Sequence, residues 1–65
     1  MTLSEIKRRL KRIEEESGDP ETAHDLEDIL FEDVLCAIAG GVENQSELAD
    51  AALRSKKIKF QRWCA

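Results

Sequence analysis

Sixty-five residues, 37% of them charged and 42% apolar, carry a net charge of −4 with one Pro, three Gly and no Tyr. A chain of this size buries roughly 60% of the surface that its unfolded form exposes, so it holds one small domain with a marginal core. The apolar share excludes a fully disordered chain, and the lack of runs of Val, Ile, Thr and aromatic residues argues against a β fold.

The start, Met1-Thr2-Leu3-Ser4-Glu5, has no uninterrupted apolar run of the kind a secretory signal needs. No stretch approaches the ~20 apolar residues of a membrane span. The expected location is therefore cytoplasmic, with no membrane partner and with Cys36 and Cys64 as reduced thiols. Charge is segregated along the chain. Lys7, Arg8, Arg9, Lys11 and Arg12 come first, and ten carboxylates then run from Glu14 to Asp33 without a Lys or Arg among them. Arg54, Lys56, Lys57, Lys59 and Arg62 follow. In a short chain such segregation either folds back on itself or is presented to a partner.

The first helix is predicted over about 3–17. Thr2 and Glu5 have capping-box spacing, Gly18 offers a left-handed stop, and Leu3, Ile6, Leu10 and Ile13 form one narrow apolar stripe. Its basic start and acidic end oppose the helix dipole, at a small local cost.

The second helix is predicted over 20–39. Asp19-Pro20-Glu21 supplies a cap, a Pro at the first helical position and an acid in the first turn, and Gly40-Gly41 ends it. Ala23, Leu26, Leu30, Val34, Ala37 and Ile38 share one face with Phe31 at its edge, and Asp25, Asp28 and Glu32 lie opposite. Glu27 breaks the pattern by falling inside the apolar sector.

Asn44-Gln45-Ser46-Glu47 has the spacing of a second capping box and opens a third helix over about 45–55. Leu48, Ala51 and Ala52 face inward there, while Leu53 sits off that face and either meets a second neighbour or is exposed. The tail, 56–65, alternates apolar and basic residues. An isolated strand has nothing to pair with, so an extended or single-turn segment is expected to lay Phe60 and Trp63 across the bundle as anchors. The fold class expected for the single domain 1–65 is all-α: a small three-helix bundle with a docked C-terminal tail.

At Gly18-Asp19-Pro20-Glu21, Ala23-His24, Glu27-Asp28, Val34-Leu35-x-Ala37-Ile38-Ala39 and Phe60-x-Arg62-Trp63-Cys64, the chain resembles short uncharacterised proteins of bacteriophage and prophage genomes. The resemblance covers most of residues 18 to 65. It implies a small accessory protein and nominates His24, Glu27, Asp28, Arg62 and Trp63 as positions to explain, without bringing an activity.

Among candidate chemistries, Glu21 and His24 have the Glu-x-x-His spacing of helical carboxylate metal sites, with Glu27 and Asp28 on adjoining positions. Such a site needs ligands from other helices, and His24 is the only His, so a solvated helix face is the expected reading and no metal or cofactor is assigned. Nucleophilic catalysis has no candidate, because neither Cys has a sequence neighbour that lowers its pKa, and the Gly40-Gly41 pair lacks the rest of a phosphate loop.

A carboxylate on an apolar stripe needs a partner, since burying it bare costs several kcal/mol. Glu27 is therefore expected to pair with Arg62, a basic residue of the first helix or His24, with Arg62 as the preferred structural ion pair. Asp25, Asp28 and Glu32 remain as an acidic contact face for a protein, or as surrogate phosphates for a basic groove. The basic tail interleaves aromatics as single-strand binders do, but the acidic balance and the lack of a recognised motif make nucleic acid an unexpected partner. The leading expectation is a non-catalytic helical interaction protein of phage type that binds and modulates a host or phage protein, with homodimerisation left open. The alternative is an oligomeric metal- or nucleotide-handling enzyme using Glu21, His24, Glu27 and Asp28.

Overall fold

Thr2 begins the first helix by accepting a hydrogen bond at Oγ1 from the Glu5 amide, 3.2 Å away. The computed structural model describes residues 1–62 and contains three α-helices, α1 (Leu3–Glu15), α2 (Pro20–Ala39) and α3 (Gln45–Leu53). A 3₁₀ turn over Arg54–Lys57 follows α3 directly. Each helix packs against the other two, and the described residues contain no strand. The protein is an all-α three-helix bundle.

Apolar periodicity explains the packing. Ile6 and Ile13 of α1, Ala23, Leu30 and Val34 of α2, and Leu48, Ala51 and Ala52 of α3 form the buried core. Fully burying a side chain such as Ile6 or Leu48 contributes about 1.5–3 kcal/mol. Leu3, Leu10, Ile38, Ile58 and Phe60 pack around this centre half-buried.

The ends of the helices show where local chemistry acts. Asp19 caps α2 by accepting from the Thr22 amide at 3.3 Å and the Thr22 hydroxyl at 2.9 Å, with Pro20 in the first turn. At the other end Gly41 takes φ +87°, the left-handed region where a glycine avoids steric penalty. Its amide donates to the Ile38 carbonyl at 3.0 Å and the Val42 amide to the Ala37 carbonyl at 3.4 Å, which is a Schellman stop.

Three local expectations require correction. First, α1 ends at Glu15 rather than Ser17, and Gly18 does not adopt a left-handed conformation. Bonds from the Ser17 amide to the Glu14 carbonyl and from the Asp19 amide to the Glu16 carbonyl tighten the last turn. The terminal carbonyls are thereby satisfied without a left-handed residue. Second, Asn44 occupies the cap position of α3, but its side chain makes no capping bond. Its ψ of 37° lies outside the extended region from which a cap side chain reaches the first turn. Third, regular α-helix stops at Leu53 rather than near residue 55, and the chain continues more tightly wound to Lys57 before Ile58 turns extended.

Candidate functional site

Glu27 lies in the middle of α2 with 2% of its surface exposed, on the helix face that carries the buried Ala23, Leu30 and Val34. The tail brings Arg62 to it. The guanidinium meets the carboxylate side-on, with Nε donating to Oε1 at 2.9 Å and Nη2 to Oε2 at 3.0 Å. The same guanidinium donates to the backbone carbonyls of Ser55 at 2.9 Å, Ile58 at 3.0 Å and Phe60 at 3.4 Å. It also stacks over the Phe60 ring, 3.9 Å from the centroid. One planar cation thus fastens α2, the 3₁₀ turn and the tail together, which a lysine cannot do. Lys56 Nζ adds a longer contact to Glu27 Oε1 at 3.7 Å.

Burial pushes the Glu27 carboxyl up, but the Arg62 hydrogen bonds, the Ser55 hydroxyl and the charges of Arg62 and Lys56 outweigh it and hold the group below its usual value of 4.5. Ser55 is itself fully buried, and its Oγ meets no partner at good hydrogen-bond geometry. Its hydroxyl lowers the Glu27 pKa less than the Arg62 hydrogen bonds do.

A second feature lies on the same helix. α2 and α3 diverge enough to leave a depression of about 260 Å³ lined by Phe31, Val34, Leu35 and Ile38 on one side and Ala49, Ala52 and Leu53 on the other. Every lining residue is apolar. Leu35 is 65% and Leu53 59% exposed, and each stands at the rim. Lys56, which also contacts Glu27, places its ammonium 5.4 Å from the centroid of the Phe31 ring.

The remaining sequence candidates are dispersed. Glu21 is exposed, Glu27 is held by Arg62 and Lys56, and His24 Nε2 lies 3.7 Å from Asp28 Oδ1, an ionic contact only when His24 is protonated. The Glu21, His24, Glu27 and Asp28 set therefore does not converge, because Glu27 and Asp28 are about 100° apart around the helix. No group of three or more potential ligands is placed to hold a metal ion among the described residues.

Cys36 is exposed on α2, more than three turns or about 18 Å along the axis from His24. Asp25, Asp28 and Glu32 are exposed on the outer side of α2. Phe60 packs half-buried against the core, whereas Trp63 and Cys64 lie outside the described residues. Among the described residues no helix is long and apolar enough to cross a membrane.

The two basic ends meet only in part with the acidic block. Arg9 reaches Asp33 at 2.9 Å, and Lys56 and Arg62 reach Glu27. Lys7 and Lys11 of α1 instead adjoin Arg54 and Lys57 around a separate depression of about 370 Å³.

The sequence pattern singles out Leu53 as off the inward face of α3 but not Leu35, and it does not foretell the groove between them. The available signal was two leucines, Leu35 and Leu53, each displaced from the inward face of its own helix. Compared with known proteins, the chain matches no family model, no curated protein and no solved structure.

Proposed function

We propose that this chain is a small non-catalytic helical interaction module, a phage-type accessory protein that binds and modulates a host or phage protein. The observation that carries this reading is the all-apolar groove between α2 and α3 with Leu35 and Leu53 exposed at its rim. In a domain with so small a core, leaving two leucines in water forgoes stabilisation that inward placement would supply. Of the three large apolar residues exposed among the described residues, Leu35 and Leu53 flank this one depression while Ile29 lies elsewhere on α2. Exposed apolar residues that share a depression mark a contact surface. The occupant in this reading is a helical segment of the partner protein, lying along the groove.

Co-purification from the organism that encodes the chain tests the proposal. Wild type is compared with a Leu35→Asp, Leu53→Asp variant whose helical circular dichroism is unchanged. A stoichiometric protein retained by wild type and lost by the variant is the expected result. Identical recovery with both would rule out the groove as the binding surface.

A further inference from the structure

We infer that the segment seated in the α2/α3 groove is an amphipathic helix with Lys or Arg flanking its apolar stripe. This deepens the interaction-module reading and rests on it. Two properties of the groove, its floor and its lip, lead there.

The floor consists of Phe, Val, Leu, Ile and Ala side chains alone. It offers a bound chain no donor or acceptor, so the backbone of an extended peptide would lose water there without gaining partners. A helix satisfies its backbone internally and presents only side chains. Ala49 and Ala52 on the α3 side are small, which leaves room for large apolar side chains from the occupant.

The lip is acidic. Glu32 stands three residues before Leu35, and Asp28 stands one turn before Glu32, so both border the outer side of the groove along α2. Both are exposed; Glu32 makes no ion pair among the described residues, and the contact of Asp28 is with His24. On α3 the neighbouring charge is Asp50, tied to Arg54 at 3.4 Å. Among the described residues, the cation lying over a lining residue is Lys56, at the Phe31 end. Basic flanks on the occupant complement this rim, and acidic flanks are repelled by it.

A second copy of the chain fits poorly. Its basic helix, α1, has the matching charge in Lys7, Arg8, Lys11 and Arg12. However, the large exposed apolar residues lie on α2 and α3, and Ile6 and Ile13 of α1 are buried in its own core. Apposing two grooves about a twofold axis that runs across them brings each acidic lip toward its mate.

Three synthetic helical peptides sharing one Leu/Ile stripe, with Lys, Ser or Glu at the flanking positions, are titrated into the labelled full chain by fluorescence anisotropy. The Lys-flanked peptide is expected to bind roughly ten-fold or more tighter than the Glu-flanked one. That gap narrows as salt rises from about 50 mM to about 500 mM. Leu35→Asp abolishes binding, and Asp28→Lys with Glu32→Lys reverses the order of the peptides.

Equal affinities, a preference for Glu flanks, or no binding by any peptide overturns the inference. Sedimentation velocity separates its failure from that of the broader reading. A dimer broken by Leu35→Asp would make a second copy the occupant, overturning the basic helix while leaving an interaction groove. Absence of peptide binding, of a dimer and of a Leu35-dependent partner overturns both.

Discussion

Two neighbouring surfaces of α2 depart from the rule of apolar inside and charged outside, and they do so in opposite ways. Toward the tail, the charged Glu27 is buried; toward α3, the apolar Leu35 is exposed. The first departure is resolved within the chain, because Arg62 supplies both a countercharge and a cover. The second has no such resolution among the described residues. A violation closed by the molecule itself points to architecture, whereas one left open points outward to a partner.

The largest test of this contrast is Arg62→Ala. Removing the guanidinium leaves the buried carboxylate with only the longer Lys56 contact at 3.7 Å, and the expected loss in urea-denaturation stability is about 3–5 kcal/mol. Arg62→Lys recovers only a part, since an ammonium cannot make the side-on pair and the carbonyl bonds together. A loss below about 1 kcal/mol for Arg62→Ala would mean that the tail is ornamental.

Acid is the next lever. The folded-state pKa of Glu27 is lowered, so its contribution is fully present above the ordinary value of 4.5 and is lost as pH falls below that, through the folded value. Glu27→Gln keeps the shape but loses the charge. It is expected to be about 1–3 kcal/mol less stable at neutral pH. Its denaturation midpoint should also fall less steeply than that of wild type below 4.5, so that the two curves converge. Parallel curves would mean that Glu27 does not set the acid sensitivity.

Lys56 touches both regions, and its side chain is 55% exposed. Lys56→Ala is expected to cost less than about 1 kcal/mol. A larger loss by the same denaturation assay would show the two surfaces to be energetically linked. The smallest effect belongs to the open side: Leu35→Asp is expected to change stability by no more than about 0.5 kcal/mol while removing partner binding. If it unfolds the chain, Leu35 belongs to the core.

The bundle is legible in the sequence because three apolar periodicities, each bounded by turn chemistry, leave no other way to bury their faces. Glu27 stands out for a related reason, since a carboxylate within an apolar sector demands a cation. Which cation it takes is less accessible to sequence. The choice of Arg62 over a basic residue of α1 depends on the 3₁₀ turn that places the carbonyls of Ser55 and Ile58 around the guanidinium.

Gly18 and Asn44 mislead because residue type alone does not fix the backbone angles on which a left-handed stop or a side-chain cap depends. The groove is hidden for a geometric reason. Leu35 and Leu53 each lie off the inward face of their own helix and become one surface only when α2 and α3 are set side by side.

The Glu27–Arg62 pair also governs how the molecule breathes. Fraying of the segment from Ser55 to Arg62 strips the countercharge from a group shielded by the core, so local opening there carries a penalty that a neutral tail would escape. Slow amide exchange is expected to extend into this segment, with protection of Ile58, whose amide donates to the Ser55 carbonyl at 3.0 Å, approaching that of mid-helix positions. In cooperative terms, the short strap beyond α3 is expected to belong to the same unfolding unit as the centre of α2.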